Sequence, residues 1–229
     1  MNLNKSVDYF NPSNIKERIH IIGCGSVGSC IAMFLVRAGL TKITLWDEDI
    51  VEPHNLCNQM FTVADFGKKK TEALRDYLLL INPEAANDIK IMGNYNGQNL
   101  SGYVFLAVDN IEVRAKIAKE NQYNTQIKMM SDVRTSLEEV NVYAAEWKDR
   151  DAVKNFIASM DYSHEDAKKE EDMTACGMVL GVMPTVMEGS LRCVTNWMNF
   201  VNVYKGVKKS YCKKIFISAF NNFNGVFGQ

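Results

Sequence analysis

The chain is short of the features that settle a protein's class quickly. Its 229 residues include three histidines, four prolines and six cysteines, and 26 Lys and Arg nearly balance 27 Asp and Glu. With net charge near zero, neither a nucleic-acid surface nor a membrane surface is advertised, so no nucleic acid and no membrane partner is expected. None of Cys24, Cys30, Cys57, Cys176, Cys193 and Cys212 stands in a Cys-x-x-Cys pair, which argues against a zinc knuckle. A chain of this size also needs no disulfide framework. The N-terminal stretch MNLNKSVDYFNPSNIKER lacks an apolar signal segment. The longest hydrophobic stretch toward the C-terminus, MVLGVMPTVM, is too short to span a bilayer and contains Pro184. A cytoplasmic protein with reduced thiols is expected. His20 points from a core strand, His54 sits in a motif loop and His164 in a charged connection, so no triad or metal set is expected. Internal repeats and low-complexity tracts are missing too, and the length fits one domain over 1–229.

What is present is an alternation of β and α patterns. RIHIIG is a short β-branched run ending in glycine, followed by a helix pattern with Val27, Ile31, Phe34, Leu35 and Ala38 on one face and Gly39 closing it. KITLW reads as the second strand. KKTEALRDYLLLINP reads as a helix with Ala73, Leu74, Tyr77, Leu78 and Ile81 on one face, ended by Pro83. DIKIMGN and GYVFLAV are further strands, the second a continuous apolar run suited to a parallel strand covered on both faces. IEVRAKIAKENQ reads as a helix and IKMMSD as a strand. From SLEEVNVYAAEW the period changes to two, which predicts strands added in antiparallel fashion. A charged connection, DYSHEDAKKEEDMTAC, leads to a last long helix with Met187, Leu191, Val194, Met198 and Val201 three and four apart and Pro184 in its first turn. The tail lysines, Lys205 through Lys214, read as a solvated turn. The expected fold is α/β, a Rossmann-like doubly wound, mostly parallel sheet with antiparallel strands added toward the C-terminus, and its ligand at the carboxyl ends of the strands.

Gly23, Gly25 and Gly28 in GCGSVG form Gly-x-Gly-x-x-Gly between a strand and a helix, where glycine lets backbone approach a phosphate and the helix amino end favours it. Asp47 follows at the end of the second strand, where an acid can hold ribose hydroxyls. On these residues alone NAD, FAD and ATP all remain open.

DEDIVEPHNLCNQ, then GKKK, then VDN after the fourth strand, resembles the adenylation site of the ThiF/MoeB and ubiquitin-activating-enzyme superfamily. The resemblance covers Ile19 to about Tyr204, and it decides for ATP. It implies that Asp47 holds the ribose, that Asn55 and Gln59 line the phosphates, and that Lys70 neutralises the α-phosphate and pyrophosphate. It further implies that Asp109 holds Mg²⁺, with Asp49 and Asn110 as neighbours in the pocket. Lys68 and Lys69 have a plainer reading as a solvated helix start, Glu48 and Glu52 as a solvated loop, and Asn55 as a turn residue. The implied reaction is ATP-dependent adenylation of the C-terminal carboxylate of a small ubiquitin-like or sulfur-carrier protein or peptide, carried out by a homodimer. A dinucleotide-dependent oxidoreductase would leave NLCNQ, GKKK and VDN unexplained.

One position departs from the pattern. The family has Arg immediately before the Gln of NQ, and here Asn58 stands there; Asn has neither the charge nor the bidentate fork of Arg. Lys69, Arg114 and Arg134 are the candidate replacements, and a catalytically impaired, partner-dependent subunit is the alternative reading. Cys176, in DMTACGMVL, matches by resemblance the thiol that receives the acyl group as a thioester, against a plain reading as a small buried cysteine. The other five cysteines read as packing or surface.

Overall fold

The computed structural model describes residues 1–163, 165, 181–221 and 223–228. Ten strands and five α-helices follow one another among these residues. They are β1 (Ile19–Ile22), α1 (Ser26–Arg37), β2 (Ile43–Trp46), α2 (Lys70–Ile81), β3 (Lys90–Met92), β4 (Gly102–Leu106) and α3 (Ile111–Glu120). Then come β5 (Ile127–Thr135), β6 (Glu139–Glu146), α4 (Arg150–Ala158), α5 (Met183–Val201), β7 (Val203–Tyr204), β8 (Val207–Lys208), β9 (Lys214–Ser218) and β10 (Phe223–Phe227). One eight-stranded sheet has the order β10-β9-β6-β5-β4-β1-β2-β3. The run from β3 through β5 is parallel, and β6, β9 and β10 extend it antiparallel. The period change at SLEEVNVYAAEW is therefore a true change of strand direction.

Burial on both faces explains the apolar strands. Ile19, Ile21, Leu45 and Phe105 face a core shared with α1, α2 and α5, while Ile22, Trp46, Val104 and Leu106 face a second core shared with α3 and α4. Chain order reverses between β1 and β4, since β2 and β3 lie to one side and β5 to the other. A crevice opens at such a switch point, beyond the carboxyl ends of the strands.

Two helices bury more than the faces that periodicity picks out. Besides Val27, Ile31 and Leu35, α1 buries Ser29, Cys30, Ala32, Met33 and Val36, because the sheet covers one side and α5 another. In α5, only Val194 of the Met187, Leu191, Val194, Met198 and Val201 stripe is buried, and Leu191 is 43% exposed. The buried face is instead Thr185, Val186, Gly189, Ser190, Cys193, Val194, Trp197 and Phe200. Close approach selects small and hydroxyl residues there. A Cβ on Gly189 would sit 2.9 Å from Val140 Cγ1. Ser190 Oγ donates to the Val186 carbonyl at 2.8 Å, and Thr185 Oγ1 to the Leu137 carbonyl at 2.7 Å.

α4 is absent from the sequence reading although its start is signalled by Asp149, whose carboxylate accepts from the amides of Asp151 and Ala152. Its Ala152, Val153 and Phe156 cover the second core beside Trp147. The lysine tail is a turn only at Lys205 and Gly206, which join β7 to β8, and Lys214 already belongs to β9. No helix among the described residues is long and apolar enough to cross a membrane.

Candidate functional site

The glycine turn lies at the switch point. Gly23 has φ +94°, and a Cβ there would sit 2.6 Å from the Ala107 backbone, at the end of β4. A Cβ on Gly28 would sit 1.9 Å from the Gly23 carbonyl oxygen, so α1 packs directly on the turn. Gly25 is different: nothing lies within 4 Å of where its side chain would be. It precedes the first turn of α1 with no side chain capping it, and so leaves amides of the helix amino end directed at open space. Two glycines are needed by the fold, and the third faces the crevice.

Asp47, at the end of β2, binds the two halves of the site together. One carboxylate oxygen accepts from the Cys24 amide at 2.7 Å and the other from the Asp49 amide at 2.9 Å. The following loop is laced to the start of α2. The Val51 amide donates to the Lys68 carbonyl at 2.9 Å and the Lys70 amide to the Asp49 carbonyl at 2.8 Å. That lacing carries Lys70 under the loop, where it is 8% exposed and its ammonium donates to Asp49 at 2.8 Å. Lys68 is paired with Asp65 at 2.9 Å, whereas Lys69 is exposed and has no ion pair among the described residues. The plainer reading thus holds for the helix start, with Lys70 set apart from its neighbours.

Asn55 is buried, and its side-chain oxygen accepts from the Glu52 amide at 2.9 Å, which closes the short 3-10 turn Pro53–Cys57. It serves as the turn residue whatever else it touches. Gln59 follows with a buried Oε1 that has no hydrogen-bond partner. An orphaned acceptor of this kind costs free energy unless a donor arrives. Asn58 donates from Nδ2 to the Gly181 carbonyl at 3.2 Å and so ties this loop to the approach to α5. Across the switch point, Asn110 caps α3 by accepting from the amides of Glu112 and Val113 at 2.8 and 3.1 Å. Asp109, just before it, is exposed and has no ion pair among the described residues.

Two of the three candidate replacements for the family Arg are committed elsewhere. Arg114 and Arg134 both bind Asp132, which is wholly buried: Arg114 through Oδ1, and Arg134 through Oδ2 at 2.6 Å. Arg114 also donates to the Val108 carbonyl at 2.5 Å, and Arg134 to the Ser159 carbonyl at 2.7 Å, with its guanidinium 4.2 Å from the centre of the Tyr143 ring. A buried carboxylate needs such pairing, and moving either arginine away would leave one of its oxygens without its partner. Both cations are held at Asp132: Arg114 ties β5 to the turn after β4 through the Val108 carbonyl, and Arg134 ties it to the end of α4 through Ser159. The signal was in the sequence, as an acid inside the apolar strand pattern IKMMSDVR.

Burial pushes the Cys30 thiol up to about 12 and raises Cys24 and Cys193 in the same direction, which leaves these sulfurs protonated and unreactive. Cys57 is exposed, and Cys176 and His164 lie outside the described residues. The residues at the crevice fit a nucleotide polyphosphate. A helix amino end faces open space at Gly25, Lys70 at the first position of α2 is held by Asp49 in the loop after β2, and Gln59 Oε1 lacks a donor. No group of three or more metal-ligating side chains occurs among the described residues.

A model of the ThiF family matches residues 14–212. Ubiquitin-like modifier-activating enzyme 5 of Caenorhabditis briggsae is 33% identical over 133 residues, covering 51% of this chain and 31% of that protein. The tRNA threonylcarbamoyladenosine dehydratase of Haemophilus influenzae is 32% identical over 121 residues, covering 48% of this chain and 46% of that protein. The chain thus matches less than half the length of either relative. Among solved structures, E. coli MccB with ATP aligns with a TM-score of 0.69 at 17% identity, covering 94% of this chain and 64% of that one, a likeness of fold.

Proposed function

This chain belongs to the ThiF family, and from that premise we propose that it adenylates a carboxylate at the expense of ATP. The observation that carries the reading is Lys70. A buried ammonium, held by Asp49 at 2.8 Å on a loop that Asp47 fastens to the glycine turn, places a fixed positive charge at the switch point. Bound ATP supplies an α-phosphorus to which the substrate carboxylate bonds as the bond to the β-phosphate oxygen breaks and pyrophosphate leaves. A carboxylate is already ionised at pH 7, so no side chain has to remove a proton. The protein's task is to orient the carboxylate and offset negative charge.

In this account the amides at Gly25 and the Lys70 ammonium receive phosphate oxygens, and Asp47 receives ribose hydroxyls on lone pairs its two backbone contacts leave open. Gln59 and Asn55 line the phosphates. Asp109 would hold Mg²⁺, which commonly takes one or two protein carboxylates and completes its shell with phosphate oxygens and water. The substrate is a ubiquitin-like or sulfur-carrier protein or a peptide with a free C-terminal carboxylate, the working form is a homodimer, and the compartment is cytoplasmic. The Cys176 sulfur then bonds to the acyl carbon of the adenylate as the acyl–phosphate bond breaks, releasing AMP, with the thiol proton passing to solvent, and leaves a thioester.

Exchange of labelled pyrophosphate into ATP, driven by a candidate carboxylate substrate, tests the reading. Wild type is expected to exchange. Cys176→Ala should exchange equally, because activation precedes transfer, yet form no thiol-sensitive adduct with the substrate. An adduct that survives in Cys176→Ala would remove the thioester step. A second reading is favoured by Asn58, which is uncharged and bound to Gly181: a subunit that binds ATP and leaves catalysis to a partner. It predicts ATP binding without exchange under every substrate tried.

A further inference from the structure

Charge is unevenly divided along the chain. From Gly189 to Gln229 there are six Lys and Arg and no Asp or Glu, while the preceding residues hold 20 against 27. Most of this positive charge lies on one structure, the β7–β8 hairpin and the strand that leads from it. Lys205, Lys208, Lys209 and Lys213 are exposed, and none of them has a carboxylate partner among the described residues. Elsewhere Lys68, Lys70, Lys128 and Lys148 each pair with an acid.

The hairpin is held in place at both legs. Asn202 Nδ2 donates to the Tyr9 carbonyl at 2.9 Å before it, and Asn196 exchanges two hydrogen bonds with the Cys212 backbone after it, at 2.8 and 2.7 Å. Its turn takes positive φ at Lys205 (50°) and Gly206 (79°), as a two-residue hairpin turn requires. A rigid, unneutralised cation cluster costs little further ordering when an anionic partner docks.

We infer that this hairpin is the docking surface for an acidic protein, one whose carboxylates are interspersed with aliphatic side chains. One observation separates this partner from a nucleic acid. Val203, 59% exposed, stands directly across the hairpin from Lys208 on the same face, and a phosphate backbone offers nothing apolar to cover it. The position suits a macromolecule too. The 19 residues of α5 span about 28 Å at 1.5 Å per residue, so the hairpin lies roughly that far from the Asn58 end of the helix. A protein seated on the hairpin can extend its terminal carboxylate toward the crevice. That the docked protein is the one activated rests on the adenylation reading; the surface itself does not.

Fluorescence anisotropy with a labelled peptide alternating Glu and Val tests the surface, with an all-Glu peptide and an oligo-dT strand of matched length as comparisons. The Glu–Val peptide should bind most tightly and weaken as salt is raised. Reversing Lys205, Lys208 and Lys209 to Glu together should weaken it by at least about ten-fold. Val203→Ser should weaken the Glu–Val peptide and leave the all-Glu peptide unchanged. Thermal midpoints of the variants, compared with wild type, show whether the hairpin changes disturb the fold. Tighter binding of oligo-dT than of either peptide would assign the surface to nucleic acid and overturn the proposal. Peptide binding that is missing, or unchanged by the charge reversal in a folded variant, would overturn it as well. Calorimetry with ATP on the same samples separates the two claims: peptide binding without ATP binding sinks adenylation alone, and ATP binding without peptide binding sinks the docking surface alone.

Discussion

At the scale of single residues, the site depends on two charges that the fold treats in opposite ways. Lys70 is enclosed and already held by Asp49, while Asp109 is exposed and uncommitted. Neither lies in an apolar core, so Lys70→Ala and Asp109→Ala should each keep the fold, with thermal midpoints near that of wild type. Each should lower pyrophosphate exchange by roughly a hundred-fold or more, the scale for losing one charged or hydrogen-bonding contact to a transition state. Exchange at the wild-type rate in both would show that the roles carried over to them are wrong. The motif residues were legible because chemistry fixes their type and spacing. The Asp132 clamp was not, because a charge inside a strand declares its partners only in three dimensions. His20 makes a second residue-scale prediction. Burial lowers its pKa to about 4, and its Nδ1 accepts from Trp46 Nε1 at 3.2 Å. The folded state therefore keeps it neutral while the unfolded chain takes up a proton near pH 6.5, so stability falls as pH drops from about 6.5 toward 4. Between pH 6.5 and 5, above the range where most carboxylates titrate, that loss should reach about 1–2 kcal/mol. Urea unfolding of wild type and His20→Gln should show it, with the variant flatter across that interval; parallel profiles would mean His20 titrates alike in both states.

At the scale of elements, the strands and α1 to α3 were readable because their burial follows a simple period or a continuous apolar run. α5 was readable in extent and in part of its face: Val194 is buried and Met187, Met198 and Val201 pack partly against the core, while Leu191 is exposed. Its contact with α1 and the sheet centres on Val186, Cys193, Trp197 and Phe200, with Gly189, Ser190 and Thr185 between them. The difference can be measured. Gly189→Val should destabilise the protein by roughly 1–3 kcal/mol, because a side chain there meets Val140 and Val133. Leu191→Ala, on the stripe the apolar pattern picks out, should stay within about 0.5 kcal/mol of wild type, as exposed substitutions usually do. Denaturant midpoints in the reverse order would restore the apolar stripe as the packed face. α4, by contrast, was legible: Ala152, Val153, Phe156 and Ile157 recur at helical spacing and Asp149 marks the cap, and the sequence reading passed over both.

At the scale of the whole molecule, the pieces share one geometry. The reversal of strand order leaves a crevice between β1 and β4, the glycine turn and the Asp109 turn border it, and the second loop brings Lys70 to it. The cation cluster sits a helix length away, and a near-zero total charge concealed it from composition alone. The central claim is that the crevice takes ATP with Mg²⁺ and not a dinucleotide. Isothermal calorimetry with each ligand, on wild type and Lys70→Ala, tests it most directly. One saturable site for ATP with Mg²⁺ is predicted, weakened at least about ten-fold in Lys70→Ala because a charge-assisted contact is lost, with no heat from NAD. Tight binding of NAD without any signal from ATP would contradict the account.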